Sequence, residues 1–171
     1  MRCLIVLPTY QEAANIVGVL QRVRATMPSA HLLVVDDSSP DGTADLAEAT
    51  AAQLGGVDVT RRSAKLGLGS AYRTGFQWGL SQRFEILVEM DADLSHEPAD
   101  VPRLCAAIEE GADLVIGSRY VPGGSIPVVV VPTGAFPVRE PICRHHASPS
   151  RHRRDIRISR LPGFDAGRAR P

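Results

Sequence analysis

Only three cysteines occur in this 171-residue chain, Cys3, Cys105 and Cys143, and no Cys-x-x-Cys pair is among them. An odd, scattered set excludes a disulfide scaffold and leaves reduced thiols as the expectation. Long apolar runs are lacking as well. Leu4-Ile5-Val6-Leu7 runs into Pro8 and is too short for the core of an export signal. Val128-Val129-Val130-Val131 lies between Pro127 and Pro132 and cannot span a bilayer. Membrane contact would therefore be peripheral, and a cytoplasmic location is expected. No internal repeat is visible. Aromatic interleaving among the arginines is also absent, which argues against a nucleic-acid partner.

The charge that is present is unevenly placed. Formal net charge is zero, yet residues 1 to 125 hold ten Lys+Arg against sixteen Asp+Glu. Residues 126 to 171 hold nine Arg against three acids, with seven of the thirteen prolines and three of the five histidines. Two unlike stretches meet near Ile126. The length fits one domain that buries about two-thirds of its unfolded surface.

Through residue 120, short apolar runs alternate with amphipathic ones. Strands are predicted over Cys3 to Leu7, His31 to Val35, Val57 to Thr60, Phe84 to Met90 and Asp113 to Gly117. Helices are predicted from Ile16 to Met27, Thr43 to Leu54, Gly67 to Ser81 and about Ala99 to Glu110. Alternating buried strands and helices imply a mostly parallel sheet covered on both faces. Ligands of such sheets bind beyond the carboxyl ends of the strands. That rule selects Pro8-Thr9-Tyr10, Asp36-Asp37, Asp91-Ala92-Asp93 and Ser118-Arg119 as one rim. Beyond Ile126 no segment shows a strand or helix period, and a disordered or weakly structured tail is expected.

Met90-Asp91-Ala92-Asp93 carries the sharpest chemistry. Asp91 and Asp93 stand two apart at the tip of an apolar strand, which in extended geometry sends both carboxylates to one side. Adjacent anions call for a cation, and hard ions such as Mg²⁺ bridge carboxylates to substrate phosphates. His96 either assists or is a hydrogen-bonded turn histidine. Other groups admit two readings. Thr9 and Glu12 match a capping box for the first helix, while Tyr10 and Glu12 also suit stacking and hydrogen bonding to a nucleoside. Asp36-Asp37 is either a turn that caps the next helix or a pair in which Asp37 accepts from a uracil or guanine edge. Gly67-Leu68-Gly69 resembles a dinucleotide fingerprint superficially, because Tyr72 stands where the third glycine belongs; a tight turn before a helix explains it as well. Lys65 and Arg73 either meet phosphates or are solvated. Arg119 suits an anionic diphosphate or is a surface arginine. Cys143-Arg144-His145-His146 lacks the second ligand pair a zinc site needs.

Taken in order, Val6 to Glu12, Val34 to Thr43, Lys65 to Gly69, Met90 to His96 and Gly117 to Tyr120 resemble family 2 glycosyltransferases. Within that family they are similar to the dolichol-phosphate (polyprenol-phosphate) mannosyltransferases of actinobacterial type, over about Arg2 to Ile126. The resemblance implies an α/β GT-A fold, the Rossmann-like nucleotide-diphospho-sugar transferase sheet, incomplete at the C-terminus. It implies a nucleotide-sugar-binding domain over 1–126 and an Arg/Pro-rich tail over 127–171 that is disordered or not family-like. The implied reaction moves mannose from GDP-mannose to polyprenyl (dolichyl) phosphate with inversion, at the cytoplasmic face of a membrane. By matching positions, Pro8, Tyr10, Glu12, Val35 and Asp37 would hold the guanosine, and Asp91, Ala92 and Asp93 would meet the nucleotide sugar. Asp93 and Ser95 would hold Mg²⁺ or Mn²⁺, Arg119 would meet the diphosphate or acceptor, and Asp91, Asp93 and Arg119 would carry catalysis. Two alternatives stay open: a catalytically silent, truncated nucleotide-sugar binder, or a transferase using another donor such as UDP-glucose. Residues 127–171 match no family segment. Their composition is what a shifted reading frame in GC-rich DNA encodes, or that of a basic tail drawn to anionic lipid.

Overall fold

Strands apolar on both faces must be covered twice, and the helices divide to do it. The computed structural model describes residues 1–117 and 156–160. Its elements are β1 (Cys3–Thr9), α1 (Ile16–Thr26), β2 (His31–Asp36), α2 (Thr43–Leu54), β3 (Val57–Arg61), α3 (Leu68–Ser81), β4 (Ile86–Glu89), α4 (Val101–Glu109), β5 (Leu114–Gly117) and β6 (Ile156–Arg160). A single 3-10 turn, Pro98–Asp100, leads into α4. The strands form one sheet in the order β3-β2-β1-β4-β6-β5. β1 pairs in parallel with β2 and β4, and β2 with β3.

Every residue of β1 is buried, so its two faces feed two cores. Cys3, Ile5 and Leu7 pack with Ile16, Val19, Leu20 and Val23 of α1, Ala47 of α2, and Val101, Leu104 and Ile108 of α4. Leu4 and Val6 face the other way, onto Ala71 and Tyr72 of α3 with Leu33, Val35 and Leu87. This side is unusually close. A Cβ added to Gly75 would stand 3.0 Å from Val6 Cγ2, and one on Gly79 would stand 2.7 Å from Leu4 Cδ2. Absent side chains let α3 lie directly on β1.

Helix and strand positions follow the hydrophobic periods, with trimmed ends. β4 is shorter than the predicted Phe84 to Met90 because Glu85 and Ile86 both give their N–H to the Arg2 carbonyl as the chain enters the sheet. The buried Cys3 and Cys105 are free thiols, and hydrogen bonding to Cys105 together with burial pushes the Cys3 thiol up. Cys143 lies outside the described residues.

One expectation is corrected. Residues 156–160, in the stretch predicted to hold no regular element, form β6 between β4 and β5 and antiparallel to both. Ile156-Arg157-Ile158-Ser159-Arg160 does alternate with period two, but five residues amid dense arginine give too short a signal. Ile158 is fully buried, registered with Val88 on one side and Val115 on the other. The rest of the predicted tail lies outside the described residues.

Candidate active site at the carboxyl ends of β1, β2 and β4

From β1 the sheet proceeds to β2 and β3 on one side and to β4 on the other. The parallel strands β1, β2 and β4 all present their carboxyl ends at the same rim of the sheet, where ligands of such sheets bind. The segments that follow these strands lie there: Tyr10 to Glu12, Asp37 to Asp41, and Asp91 to His96.

The first two segments are bound together side chain to main chain. Asp36 is buried and accepts from Thr9 Oγ1 at 2.8 Å, Ser39 Oγ at 2.6 Å and Ser39 N at 2.8 Å. Ser39 Oγ in turn accepts from Gln11 N, Thr43 Oγ1 from Glu12 N, and Asp41 Oδ2 from Ala13 N. Gln11 and Ser38 both adopt left-handed φ, 61° and 59°, which these bonds compensate. The capping box is not formed. Thr9 lies inside β1 with its hydroxyl committed to Asp36, and α1 begins at Ile16 after Asn15, whose amide donates to Glu12 Oε2 at 2.8 Å. The Thr43 hydroxyl, which donates to Asp41 at 2.6 Å, is the main cause holding the Asp41 carboxyl below its usual value.

The neighbouring aspartates have different roles. Asp36 is spent on the loop, whereas Asp37 faces a guanidinium. Asp37 N donates to the Thr9 carbonyl, which fixes its place beside β1. Its Oδ2 accepts from Leu66 N at 3.1 Å and Gly67 N at 3.2 Å. Its Oδ1 stands 2.6 Å from Arg62 Nε, an ion contact outside hydrogen-bond alignment, with both side chains buried. Arg62 Nη1 donates to Ser70 Oγ at 3.1 Å, and Nη2 is buried with no partner among the described residues. Lys65 Nζ sits 3.6 Å from the centre of the Tyr10 ring, a cation–π contact.

Arg62 was missed by sequence reasoning. Its only signal is the pair Arg61-Arg62 at the end of β3. Arg61 goes to the surface, to Asp45 and Glu48, while Arg62 turns inward. Gly67, with φ 89°, marks the start of α3, in line with the tight-turn reading of Gly67-Leu68-Gly69.

On the other side of β1 from β2, the chain leaving β4 delivers Met90, Asp91 and Ala92. Met90 and Ala92 are buried, Asp91 is half-buried and Asp93 is exposed. Asp91 Oδ1 accepts from the Tyr72 hydroxyl at 2.8 Å, and Asp91 N donates to His96 Nδ1 at 2.9 Å. Asp93 Oδ1 accepts from Ser95 N at 2.9 Å across a turn in which Leu94 has φ 63°. Ser95 Oγ is buried without a partner among the described residues. Two carboxylates and an orphaned hydroxyl on one turn are oxygen donors of the kind a hard divalent cation takes. Among the described residues no three His, Cys, Asp or Glu side chains cluster as a metal cage. Such a site would thus be open, completed by ligand or water.

The remaining expected residues fall as follows. Pro8 and Val35 are paired across β1 and β2 at the carboxyl ends of the strands, and both are buried. Tyr10 and Glu12 are half-buried. Ser118, Arg119, and Cys143 to His146 lie outside the described residues. No helix among those described is long and apolar enough to cross a membrane.

The sequence model of glycosyl transferase family 2 matches residues 4–162. The chain is 52% identical over 126 residues to a polyprenol monophosphomannose synthase of Mycolicibacterium smegmatis, covering 73% of this chain and 48% of that protein. Identity is also 52% over 126 residues to an undecaprenyl-phosphate mannosyltransferase of Micrococcus luteus, covering 74% and 51% respectively. The chain spans about half the length of these curated relatives. Its fold is similar to that of a mannosyltransferase from Pyrobaculum calidifontis solved with GDP-Man and Mn²⁺, with TM-score 0.58 and 22% identity, over 68% of this chain and 34% of the other. That likeness shows the GT-A fold.

Proposed function

This chain belongs to glycosyl transferase family 2, and from that premise we propose that it binds GDP-mannose and transfers mannose, with inversion, to a polyprenyl phosphate. One observation carries the reading above all: helix α3 ties the buried Asp37–Arg62 pair to the Asp91-x-Asp93 turn, its Ser70 Oγ accepting from Arg62 and its Tyr72 hydroxyl donating to Asp91. Similarity to two mannosyltransferases supports the choice of sugar and acceptor.

The pair suits a nucleobase. A guanine edge presents a ring N–H and an amino group beside a carbonyl acceptor. Asp37 offers carboxylate oxygens, and Arg62 Nη2 offers a buried donor that lacks a partner. Tyr10 supplies a ring for stacking, Glu12 an acceptor for a hydroxyl or ring nitrogen, and Pro8 and Val35 apolar contact. Asp91, Ala92 and Asp93 border the sugar and diphosphate.

Asp93 and Ser95 would hold Mg²⁺ or Mn²⁺, with the orphaned Ser95 Oγ as the fitting detail. When bound, the ion supplies positive charge that offsets the charge gathering on the leaving diphosphate. Arg119 is assigned to the diphosphate or acceptor by its position in the sequence alone. The acceptor, a phosphate monoester with second pKa about 6, is already largely ionised at neutral pH. No dedicated general base is required; orientation and electrostatics carry the rate. A lipid-linked acceptor implies work at a membrane surface.

Labelled GDP-mannose mixed with the chain, a polyprenyl phosphate and Mg²⁺ or Mn²⁺ tests the reading. Labelled lipid above a no-protein control is expected. A second reading follows from the chain spanning half its relatives: a donor-binding half that is silent alone. Metal-dependent GDP binding without labelled lipid would select it. UDP binding in preference to GDP would overturn the mannose assignment.

A further inference from the structure

We infer that Tyr72 and His96 are positioning residues, which together hold Asp91 in the posture that metal-dependent donor binding needs. The inference rests on the glycosyltransferase reading above. Its origin lies in how β4 ends. The last bond from β4 to β1 is Met90 N to the Val6 carbonyl, 3.2 Å. The next amide, Asp91 N–H, has no strand acceptor, and an unpaired N–H at a half-buried position is costly. His96 fills the gap. The turn through Asp93, left-handed Leu94 and Ser95 brings its ring back, and Nδ1 accepts from Asp91 N at 2.9 Å. The ring proton then belongs on Nε2, which is buried without a partner among the described residues. His96 is 5% exposed, so its ring accepts a cost to fix the main chain at Asp91.

Tyr72 fixes the side chain. Its ring packs in the core beside Val6, Val35 and Leu87, and its hydroxyl donates to Asp91 Oδ1 at 2.8 Å. Phe would fill that apolar place while removing the hydroxyl's bond to Asp91. Tyr72 also stands one turn inside α3, whose approach is tied to the Asp37–Arg62 side of the site. Leu66 N and Gly67 N bond to Asp37, Ser70 Oγ to Arg62, and Lys65 lies over Tyr10. One segment thus spans both halves of the site. The tyrosine where a dinucleotide fingerprint would have glycine is what joins them.

The test is calorimetric titration of GDP into the full chain and its Tyr72→Phe, His96→Ala and His96→Asn variants, with Mn²⁺ and separately with chelator. A hydrogen bond to a charged acceptor predicts about a tenfold or greater loss of affinity in Tyr72→Phe with Mn²⁺. His96→Ala should lose affinity with Mn²⁺ likewise, and neither variant should change the residual affinity in chelator. Asn places an oxygen where imidazole has Nδ1, so His96→Asn should bind within about twofold of the unaltered chain. Tyr72→Phe binding as the unaltered chain does, or equal losses with and without metal, would overturn the inference while leaving the function standing. His96→Asn failing as badly as His96→Ala would remove His96 from it. Absence of GDP binding by the unaltered chain would defeat the functional reading and this inference together.

Discussion

Adding one methyl group to Gly75 should unseat α3 and damage the site at a distance. The alanine Cβ would meet Val6 Cγ2 at 3.0 Å and Cγ1 closer still, where ordinary contacts begin near 3.4 Å. Val6 cannot turn aside, because its β-branched side chain is stiff at χ1 and wholly buried in β1. The helix must retreat instead. Overpacking of this kind costs about 1–3 kcal/mol, from which alanine's helix preference over glycine returns about 1 kcal/mol. A net loss of about 0–2 kcal/mol lowers the melting temperature by up to about 8 °C in a chain of this size. Tyr72 lies three residues before Gly75, so the same retreat pulls its hydroxyl from Asp91 and weakens Mn²⁺-dependent GDP binding. Thermal melts of Gly75→Ala, Val6→Ala and the double variant measure this. The two penalties should not add, because Val6→Ala opens the space that the new methyl needs. A higher melting temperature for Gly75→Ala, or strictly additive losses, would refute the close-packing argument.

Three further outcomes are expected. Replacing Arg62 with Met leaves Asp37 buried without its cation and should cost roughly 3–5 kcal/mol in denaturant unfolding, with loss of GDP binding; an unchanged midpoint would mean the pair is solvated. The Asp41 carboxyl, held below its usual 3.8 chiefly by the Thr43 hydroxyl, adds stability that is complete above pH 3.8 and lost as pH falls through the lowered value. The Ala13 and Thr43 amide resonances should report that titration, and a midpoint at 3.8 would contradict the network. Ile158→Ala removes a fully buried side chain from β6 and should cost about 2–5 kcal/mol by the same unfolding assay. No change would show that β6 is peripheral to the sheet's stability.

The parts of the fold that could be read in advance were those with strong local periods. β1, β2, α1 and α2 follow from unbroken apolar runs or helical spacing closed by Pro28 and Gly55. The rim of the site was legible because its loops directly follow those strands. Arg62 was not, because an inward and an outward arginine are identical in sequence and only the bend after β3 separates them. Thr9 and Glu12 misled for the opposite reason: a capping pattern was locally correct, but strand pairing carried Thr9 into β1 and gave its hydroxyl to Asp36. β6 escaped notice because its partners, Val88 and Val115, are far away in sequence. A strand of five residues is specified by what it inserts between, not by itself.

Calorimetric titration of GDP into the unaltered chain, first with Mn²⁺ and then with excess chelator, bears most directly on the central claim. Binding should depend on the ion and fall by about an order of magnitude or more once it is removed, since the Asp91-x-Asp93 turn can meet a diphosphate only through a cation. GDP affinity that is the same in chelator as in Mn²⁺ would contradict it.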